Sequence, residues 1–363
     1  MIRAFTPPFR RSALALLAVL AGASCDKTNT VTAPIDTPAA AEGDSIAASD
    51  STAASDSTAG VGTTEDTLAL VDSLATASAT SYSGLPYGPI GLWAGNDFEW
   101  GPGPFTSSQD NTFANMIVTR INNARLKKQR LVLAMTGGPS TDFTTGGKFD
   151  FGKWKNRMNT FKTTAIKNAV AAGVADGTII GNTVIDEPET PKWGGVVTKS
   201  LIDQMATYVK NIFPTLPVGI NMGGGSYKWR TGERFHVLDY VLNQYMWGVT
   251  SGNIGAWRDA VLSRARTDGV TPAFSLNLLN GGVKDQSGTW DCPGTGGKGT
   301  RYPNCRMTAD QVSSWGRAIG PSGCFMTMWR YDDAFMSKSA NQTAFRDVAS
   351  LLATKSRRSC RRP

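Results

Sequence analysis

The chain has 363 residues, 40% of them hydrophobic and 18% charged, and a formal net charge of +8. The basic residues are scattered singly, without the basic and aromatic stripe of nucleic-acid binders, so we expect no nucleic-acid partner. The one histidine, His236, lies in the apolar run Phe235-His236-Val237-Leu238 and is interpreted as a packing residue. Its isolation argues against Ser–His and Cys–His triads and against histidine-based zinc sites.

Residues 1–25 are typical of a secretory signal peptide. Three arginines precede an apolar run at residues 13–21 that is too short to span a bilayer. Ala21-Gly22-Ala23 fits ordinary signal peptidase, but the run that ends in Cys25 resembles a bacterial lipobox, although Gly22 replaces the usual Leu. We therefore expect an exported protein, either a cell-envelope lipoprotein anchored through Cys25 or a freely secreted one.

Residues 26–82 consist mostly of Ala, Ser, Thr and Asp, with nine acids and one base. Such a segment cannot bury enough apolar surface to offset the entropy of ordering, which predicts a disordered, extended linker. The folded domain is predicted at residues 83–355, followed by a basic tail at 356–363. Residues 83–363 hold 33 Lys and Arg against 20 Asp and Glu.

Strand candidates alternate with amphipathic helices through this domain. The apolar strand candidates are residues 91–94, 131–135, 178–185, 217–222, 240–247, 273–279 and 324–331. Apolar residues recur at helical spacing in residues 113–124, 151–173, 201–212, 254–265, 312–319 and 345–352.

Alternating strands and helices predict parallel strands with helical crossovers. Polar and Gly-rich segments follow the strand ends, which favours a (β/α)8 TIM-type barrel with its site on one face. A doubly wound sheet is the alternative, but no G-x-G-x-x-G follows the first strand. Only seven strands are visible, so an eighth lies hidden in the first βα unit or near residues 231–237.

The cysteines fit an oxidising compartment. Cys292 and Cys305 bracket a Gly-rich loop that a disulfide would close. In a barrel, strand starts and helix ends share one face, which places Cys324 before the last strand near Cys360 after the last helix. A second disulfide is therefore predicted between Cys324 and Cys360.

The most specific motif is Asn182-Thr183-Val184-Ile185-Asp186-Glu187-Pro188, an apolar strand that ends in two carboxylates. It resembles the barrel glycoside hydrolases of the cellulase-like clan, whose acid/base glutamate ends a strand in Asn-Glu-Pro. The helix that opens Phe-x-x-Trp at Phe151 is similar to theirs, as is the strand that ends in Trp329. The resemblance implies Glu187 as the general acid/base and Trp329 as a platform under a sugar ring.

Glycosidic cleavage needs one protonated and one ionised carboxyl, and the like charge of Asp186 beside Glu187 favours such a division. In the clan the nucleophile is a glutamate at the end of the penultimate strand. Here that strand carries no acid and Asn277 stands near its end. The candidates for the second carboxylate are Asp332 and Asp333 after the last strand, and Asp97 or Glu99 after the first. Asp332, in Trp329-Arg330-Tyr331-Asp332, is favoured, with an ion pair to Arg330 or a helix N-cap as the alternative reading.

Other aromatic and amide side chains near strand ends are candidates for binding a poly- or oligosaccharide. They are Trp93, Asn221, Gln244, Tyr245, Asn277, Trp290, Arg330 and Tyr331. We expect no cofactor and no metal, a monomer, and contact with membrane through the lipid anchor alone. The sequence thus predicts a glycoside hydrolase-like barrel, or a non-catalytic carbohydrate-binding barrel that has lost its nucleophile.

Overall fold

Eight parallel strands form a closed barrel. The computed structural model describes residues 82–91, 105–195, 197–223, 233–250, 252–283 and 305–363, and the elements below belong to these residues. The barrel strands are β1 (Tyr87–Ile90), β2 (Ser107–Asn111), β3 (Arg130–Ala134), β4 (Ile179–Asp186), β5 (Val218–Met222), β6 (Tyr240–Tyr245), β7 (Thr271–Asn277) and β8 (Met326–Trp329). Each strand pairs with the next and β8 pairs with β1, which confirms the predicted barrel and excludes the open, doubly wound sheet.

The strand missing from the sequence pattern is β2. Its sequence is Ser-Ser-Gln-Asp-Asn, and its first three side chains are nevertheless buried. It lies in the first βα unit, one of the two places in which the eighth strand was expected. Gly88 on β1 permits the close approach of the two strands, because a Cβ at that position would lie 1.5 Å from the carbonyl oxygen of Ser107.

Helices surround the barrel. They are α1 (Ile117–Leu126), α2 (Phe151–Asn159), α3 (Thr164–Ala175), α4 (Lys199–Ile212), α5 (Trp247–Thr250), α6 (Ile254–Asp268), α7 (Ala309–Ile319), α8 (Asp333–Met336) and α9 (Ser339–Ala353). Short 3-10 turns occupy Ser140–Phe143, Pro191–Trp193 and Gly320–Ser322, and a small hairpin pairs Thr144–Thr145 with Lys148–Phe149. No helix in the described part of the chain is long and apolar enough to cross a membrane.

Two predicted elements are corrected. The helix expected over residues 151–173 is two helices, because the Thr163 hydroxyl accepts a hydrogen bond from Ile166 N at 3.3 Å and starts α3 anew. The first strand lies at Tyr87–Ile90 rather than at residues 91–94, of which 92–94 lie outside the described residues. Side-chain N-caps also begin α2, α4, α6, α7 and α8, including a capping box between Thr308 and Gln311 at α7.

The C-terminal tail closes the amino-terminal end of the barrel. A disulfide joins Cys324 to Cys360 with 5.3 Å between their Cα atoms. Both cysteines belong to a buried cluster with barrel residues such as Tyr240 and Phe325. Beyond the disulfide, Arg362 N donates to Asp239 Oδ1 at 3.3 Å. The tail is therefore part of the folded domain.

Candidate functional site

A polar cavity of about 540 Å³ opens at the carboxyl-terminal mouth of the barrel. Six of the side chains singled out in the sequence line it: Asp186, Glu187, Asn221, Gln244, Asn277 and Trp329. They come from the ends of β4, β5, β6, β7 and β8, because parallel strands of a closed barrel all deliver their carboxyl ends to one face.

Lys192 neutralises part of the charge of the two strand-end carboxylates. Its Nζ lies 2.7 Å from Asp186 Oδ2 and 3.2 Å from Glu187 Oε2. Burial lowers the pKa of Lys192, but the charges of and hydrogen bonds to Asp186 and Glu187 outweigh this and raise it overall. A permanent cation therefore stands between two carboxylates at the mouth.

The backbone turns sharply at Glu187, whose φ of 47° lies in the left-handed region that glutamate rarely adopts. Glu187 N donates to Asn221 O at 2.8 Å, and Trp193 Nε1 donates to the carbonyl oxygens of Asp186 and Glu187 at 2.9 and 3.1 Å. Thr190 adds bonds from its N and Oγ1 to Glu187 O. These contacts hold a strained residue in place, as is common at functional sites.

A third carboxyl, that of Glu189, lies behind this pair. Its Oε1 accepts a hydrogen bond from Gly223 N at 2.8 Å, and its Oε2 is buried without a hydrogen-bond partner among the described residues. Burial raises the pKa of Glu189, and the charges of Glu187 and Asp186 add to the effect, while backbone hydrogen bonds oppose it. A Cβ on Gly223 would lie 2.9 Å from Glu187 Oε1 and 3.1 Å from Glu189 Oε1, so both carboxyls approach the same point.

Amides from neighbouring strands continue the polar floor of the cavity. Gln109 Nε2 donates to Thr183 Oγ1 and to Asn221 Oδ1, each at 3.2 Å. Asn221 Nδ2 in turn donates to Asp186 Oδ1 at 3.3 Å. Across the mouth, Asn277 Nδ2 donates to Gln244 Oε1 at 3.0 Å. The floor thus links the strand-end carboxylate to β2 and β5.

Trp329 provides an aromatic wall of the cavity. The guanidinium of Arg330 lies over its ring, 5.9 Å from the ring centroid. Trp329 lies at the end of β8 and is half-buried on the cavity. Arg330 itself is exposed and does not line the cavity. Tyr331 is outside it too, and its hydroxyl donates to Asp333 Oδ1 at 2.9 Å.

Two further predicted site residues serve the fold instead. Asp332 Oδ1 accepts a hydrogen bond from Phe335 N at 2.8 Å and caps α8, which is the alternative reading of this residue, and it does not line the cavity. Tyr245 is fully buried, 5.1 Å from the rings of both Trp257 and Trp315. Alternation along β6 turns Tyr245 outward to the helices when Gln244 faces the cavity.

Six candidate residues, Cys25, Trp93, Asp97, Glu99, Trp290 and Cys292, lie outside the described residues. Cys305 is described and buried, and its disulfide with Cys292 stays a prediction. Among the described residues, no group of three or more His, Cys, Asp and Glu side chains is arranged to hold a metal ion.

Sequence reasoning missed five polar residues of the site. Gln109, Asp110 and Asn111 line the cavity from β2, which has no apolar pattern to reveal it. Lys192 and Glu189 follow the Asp-Glu-Pro motif within five residues of Glu187. Their proximity to that motif was the signal that could have found them.

The fold and the position of the site define a (β/α)8 barrel with an acidic and aromatic cleft at the carboxyl-terminal ends of its strands. No protein-family model matches the sequence, and the search of curated proteins gave no significant match.

Among solved structures, the chain is similar to the endo-1,4-beta-mannanase from Rhizomucor miehei, with 10% identity, a TM-score of 0.47, and coverage of 75% of this chain and 96% of that one. It is also similar to xylanase 10B from Thermotoga maritima, with 8% identity, a TM-score of 0.41 and coverage of 74% and 95%. A D-psicose 3-epimerase from Clostridium cellulolyticum H10 matches at 12% identity, TM-score 0.38, over 74% and 99%. These values are too low to bear on what this chain does.

Proposed function

We propose that this chain is an exported, glycoside hydrolase-like barrel that acts on an extracellular polysaccharide, with Glu187 as the general acid/base. The observation that carries the proposal is the cavity at the barrel mouth, which brings Asp186 and Glu187 together with the ring of Trp329. Carboxyl groups beside an aromatic platform are what cleavage of a glycosidic bond requires.

Glu187 is the favoured proton-transfer group because its side chain is only about one third exposed and its backbone is fixed from three sides. Lys192 Nζ lies 3.2 Å from Glu187 Oε2 and so helps to hold the carboxyl group in place at the mouth of the cavity.

We assign the role of second carboxylate to Asp110 instead of Asp332. Asp332 is engaged as a helix cap, and among the described residues the acids that line the cavity are Asp110, Asp186 and Glu187. Asp110 belongs to β2, which β3 separates from β4, and lines the same cavity as Glu187. Asp110 is therefore proposed as the partner of Glu187.

Hydroxyl groups of a sugar would be held by the amides of Gln109, Asn221, Gln244 and Asn277. Each of these side chains lines the cavity and is hydrogen-bonded to a residue of another strand, which keeps it in place before a ligand arrives. Preorganised amides under a tryptophan ring favour a neutral, hydroxyl-rich ligand.

A carbohydrate-binding barrel without catalysis is the second candidate. The observation that favours it is Asn277, an amide at the end of β7 where the resembling hydrolases have a glutamate. Fold alone does not decide between the two functions.

The test is a panel of polysaccharides incubated with the wild-type protein, Glu187→Gln and Asp332→Asn, with release of reducing ends as the readout. Loss of a general acid/base group is expected to reduce turnover by about 10²–10⁴-fold. Asp332→Asn removes the same charge outside the cavity and keeps an N-capping residue, so its turnover should equal that of the wild type. Mass spectrometry of the exported protein tests whether Cys25 is acylated.

Binding without reducing-end release by the wild type would establish the binding barrel instead. Equal turnover of wild type and Glu187→Gln would reject Glu187 as the acid/base group. A loss in Asp110→Asn comparable to that in Glu187→Gln would support Asp110 as the second carboxylate.

A further inference from the structure

The amino-terminal face of the barrel, opposite the cavity, carries an exposed basic patch, defined here as Leu126, Lys127, Lys128, Arg357 and Arg358. The first three follow the end of α1, and the arginines belong to the C-terminal tail. All five are exposed, and Leu126 at 75% is the large hydrophobic side chain most exposed in the described part of the chain.

Contacts between three chain segments make this patch continuous. Arg125 Nε lies 2.6 Å from Asp176 Oδ2, which joins the ends of α1 and α3. The Arg357 guanidinium packs on Gly177, the residue after Asp176, where a Cβ would lie 2.6 Å from Arg357 Nη1. The tail arginines and the lysines after α1 are therefore joined through the α3 end.

By its definition the patch carries four basic side chains and no acid. The acid within these contacts is Asp176, which is paired with Arg125 and also accepts a hydrogen bond from Thr178 N at 2.9 Å. The charge of Arg357 also affects a buried side chain, Arg130. Burial lowers the pKa of Arg130 to about 10, and the charge of Arg357 adds to this effect. The patch is thus a net cationic surface.

The tail cannot swing away from this face, because the disulfide of Cys360 fixes it two residues after Arg358. Arg361 extends the attachment, since its carbonyl oxygen accepts a hydrogen bond from Thr271 Oγ1 at 2.6 Å. The backbone that carries Arg357 and Arg358 is therefore held against this face.

The preceding chain joins the domain at the same face. Tyr82, the first described residue, has its hydroxyl 3.0 Å from Thr178 Oγ1 and 3.3 Å from Gln129 O, which it donates to. These partners adjoin the Asp176–Gly177 turn and the Lys127–Lys128 pair. The chain that precedes the domain therefore enters it beside the basic patch.

We infer that the basic patch docks the barrel on an anionic lipid surface, with Leu126 entering the interface and the Lys and Arg side chains contacting phosphate headgroups. An exposed leucine flanked by lysines suits a bilayer interface, where apolar and cationic groups both find partners. A soluble polyanion offers partners to the cations alone. Docked in this way, the barrel directs its cavity away from the membrane.

Vesicle flotation tests the inference with the exported protein carrying Cys25→Ser, so that no acyl chain contributes. Vesicles of phosphatidylcholine with about a third phosphatidylglycerol are compared with phosphatidylcholine alone. The patch variant combines Lys128→Asn, Arg357→Gln and Arg358→Gln. A control with the same charge loss combines Lys167→Gln, Lys338→Gln and Arg346→Gln at the helix beginnings and sides. Leu126→Ser probes the apolar contact separately.

We expect salt-sensitive binding to the anionic vesicles, a loss of about tenfold or more in the patch variant, little loss in the control, and a smaller loss in Leu126→Ser. Equal binding to neutral vesicles, or equal losses in both triple variants, would overturn the inference. Full competition by soluble dextran sulfate, with no effect of Leu126→Ser, would assign the patch to an anionic polymer instead. None of these variants touches the cavity, so the outcome is independent of the proposed hydrolase activity.

Discussion

Glu189 is a carboxyl group beside the site whose pKa the fold raises. Its carboxyl is held against Gly223 N, and burial raises its pKa above the ordinary value of 4.5. A carboxyl that keeps its proton longer in the folded than in the unfolded state makes the folded state less stable as pH rises. The effect begins near the unfolded pKa and is complete above the folded one.

We therefore predict that Glu189→Gln flattens the pH dependence of stability. The free energy of unfolding of the wild type should fall, relative to that of Glu189→Gln, as pH rises from about 4.5. Urea unfolding of both proteins over a pH series measures the difference. Glu233→Gln, a change at an exposed acid, serves as the control and should track the wild type. Parallel curves for Glu189→Gln and the wild type would contradict the assignment.

Single residues also show where reading the sequence reached its limit. Asp186 and Glu187 were placed correctly at the mouth because an apolar strand ends in them. Asp332 lies three residues past the end of β8, and its carboxylate caps α8, which was the alternative reading of this residue. Asp186 differs because it is itself the last residue of its strand.

Among the elements, β5 and β6 meet inside the barrel through a glycine. Gly219 on β5 lies against the Tyr240 ring, where a Cβ would be 2.3 Å from Tyr240 Cδ2. Tyr240 is fully buried and its hydroxyl lies 3.4 Å from Thr183 Oγ1 on β4. The glycine thus makes room for a ring that links three neighbouring strands.

Gly219→Ala is expected to lower the free energy of unfolding by about 1–3 kcal/mol or more, because the ring has no space to withdraw. Gly255→Ala, in the first turn of α6, provides the control. Its Cβ would meet Asn253 Oδ1 at an ordinary 3.5 Å, so the change should be neutral or stabilising by up to about 1 kcal/mol. Urea midpoints that fall equally in both variants would refute the packing argument.

At the scale of the whole molecule, the tail and the last strand are tied by the disulfide between Cys324 and Cys360, 36 residues apart. Removing both cysteines as Cys324→Ser/Cys360→Ser should cost about 4 kcal/mol of unfolding free energy in the chain-entropy model. Thermal melting compares this variant with Ser356→Ala, an exposed change in the same tail. A melting temperature of the double variant equal to that of the wild type would show that the bridge does not stabilise the fold.

The sequence by itself determined the alternation of strands and helices, the barrel and the strand that ends in Asp186 and Glu187, because burial imposes an apolar periodicity on these elements. Tertiary structure alone decided that the polar segment Ser107–Asn111 is a strand, since its pairing with β1 and β3 forms backbone hydrogen bonds that no side-chain pattern announces. Tertiary structure also decided which polar groups lie together. Lys192 and Glu189 lie beside the strand-end carboxylates, whereas Tyr245 and Asp332 lie outside the cavity, because side-chain direction depends on how the whole barrel closes.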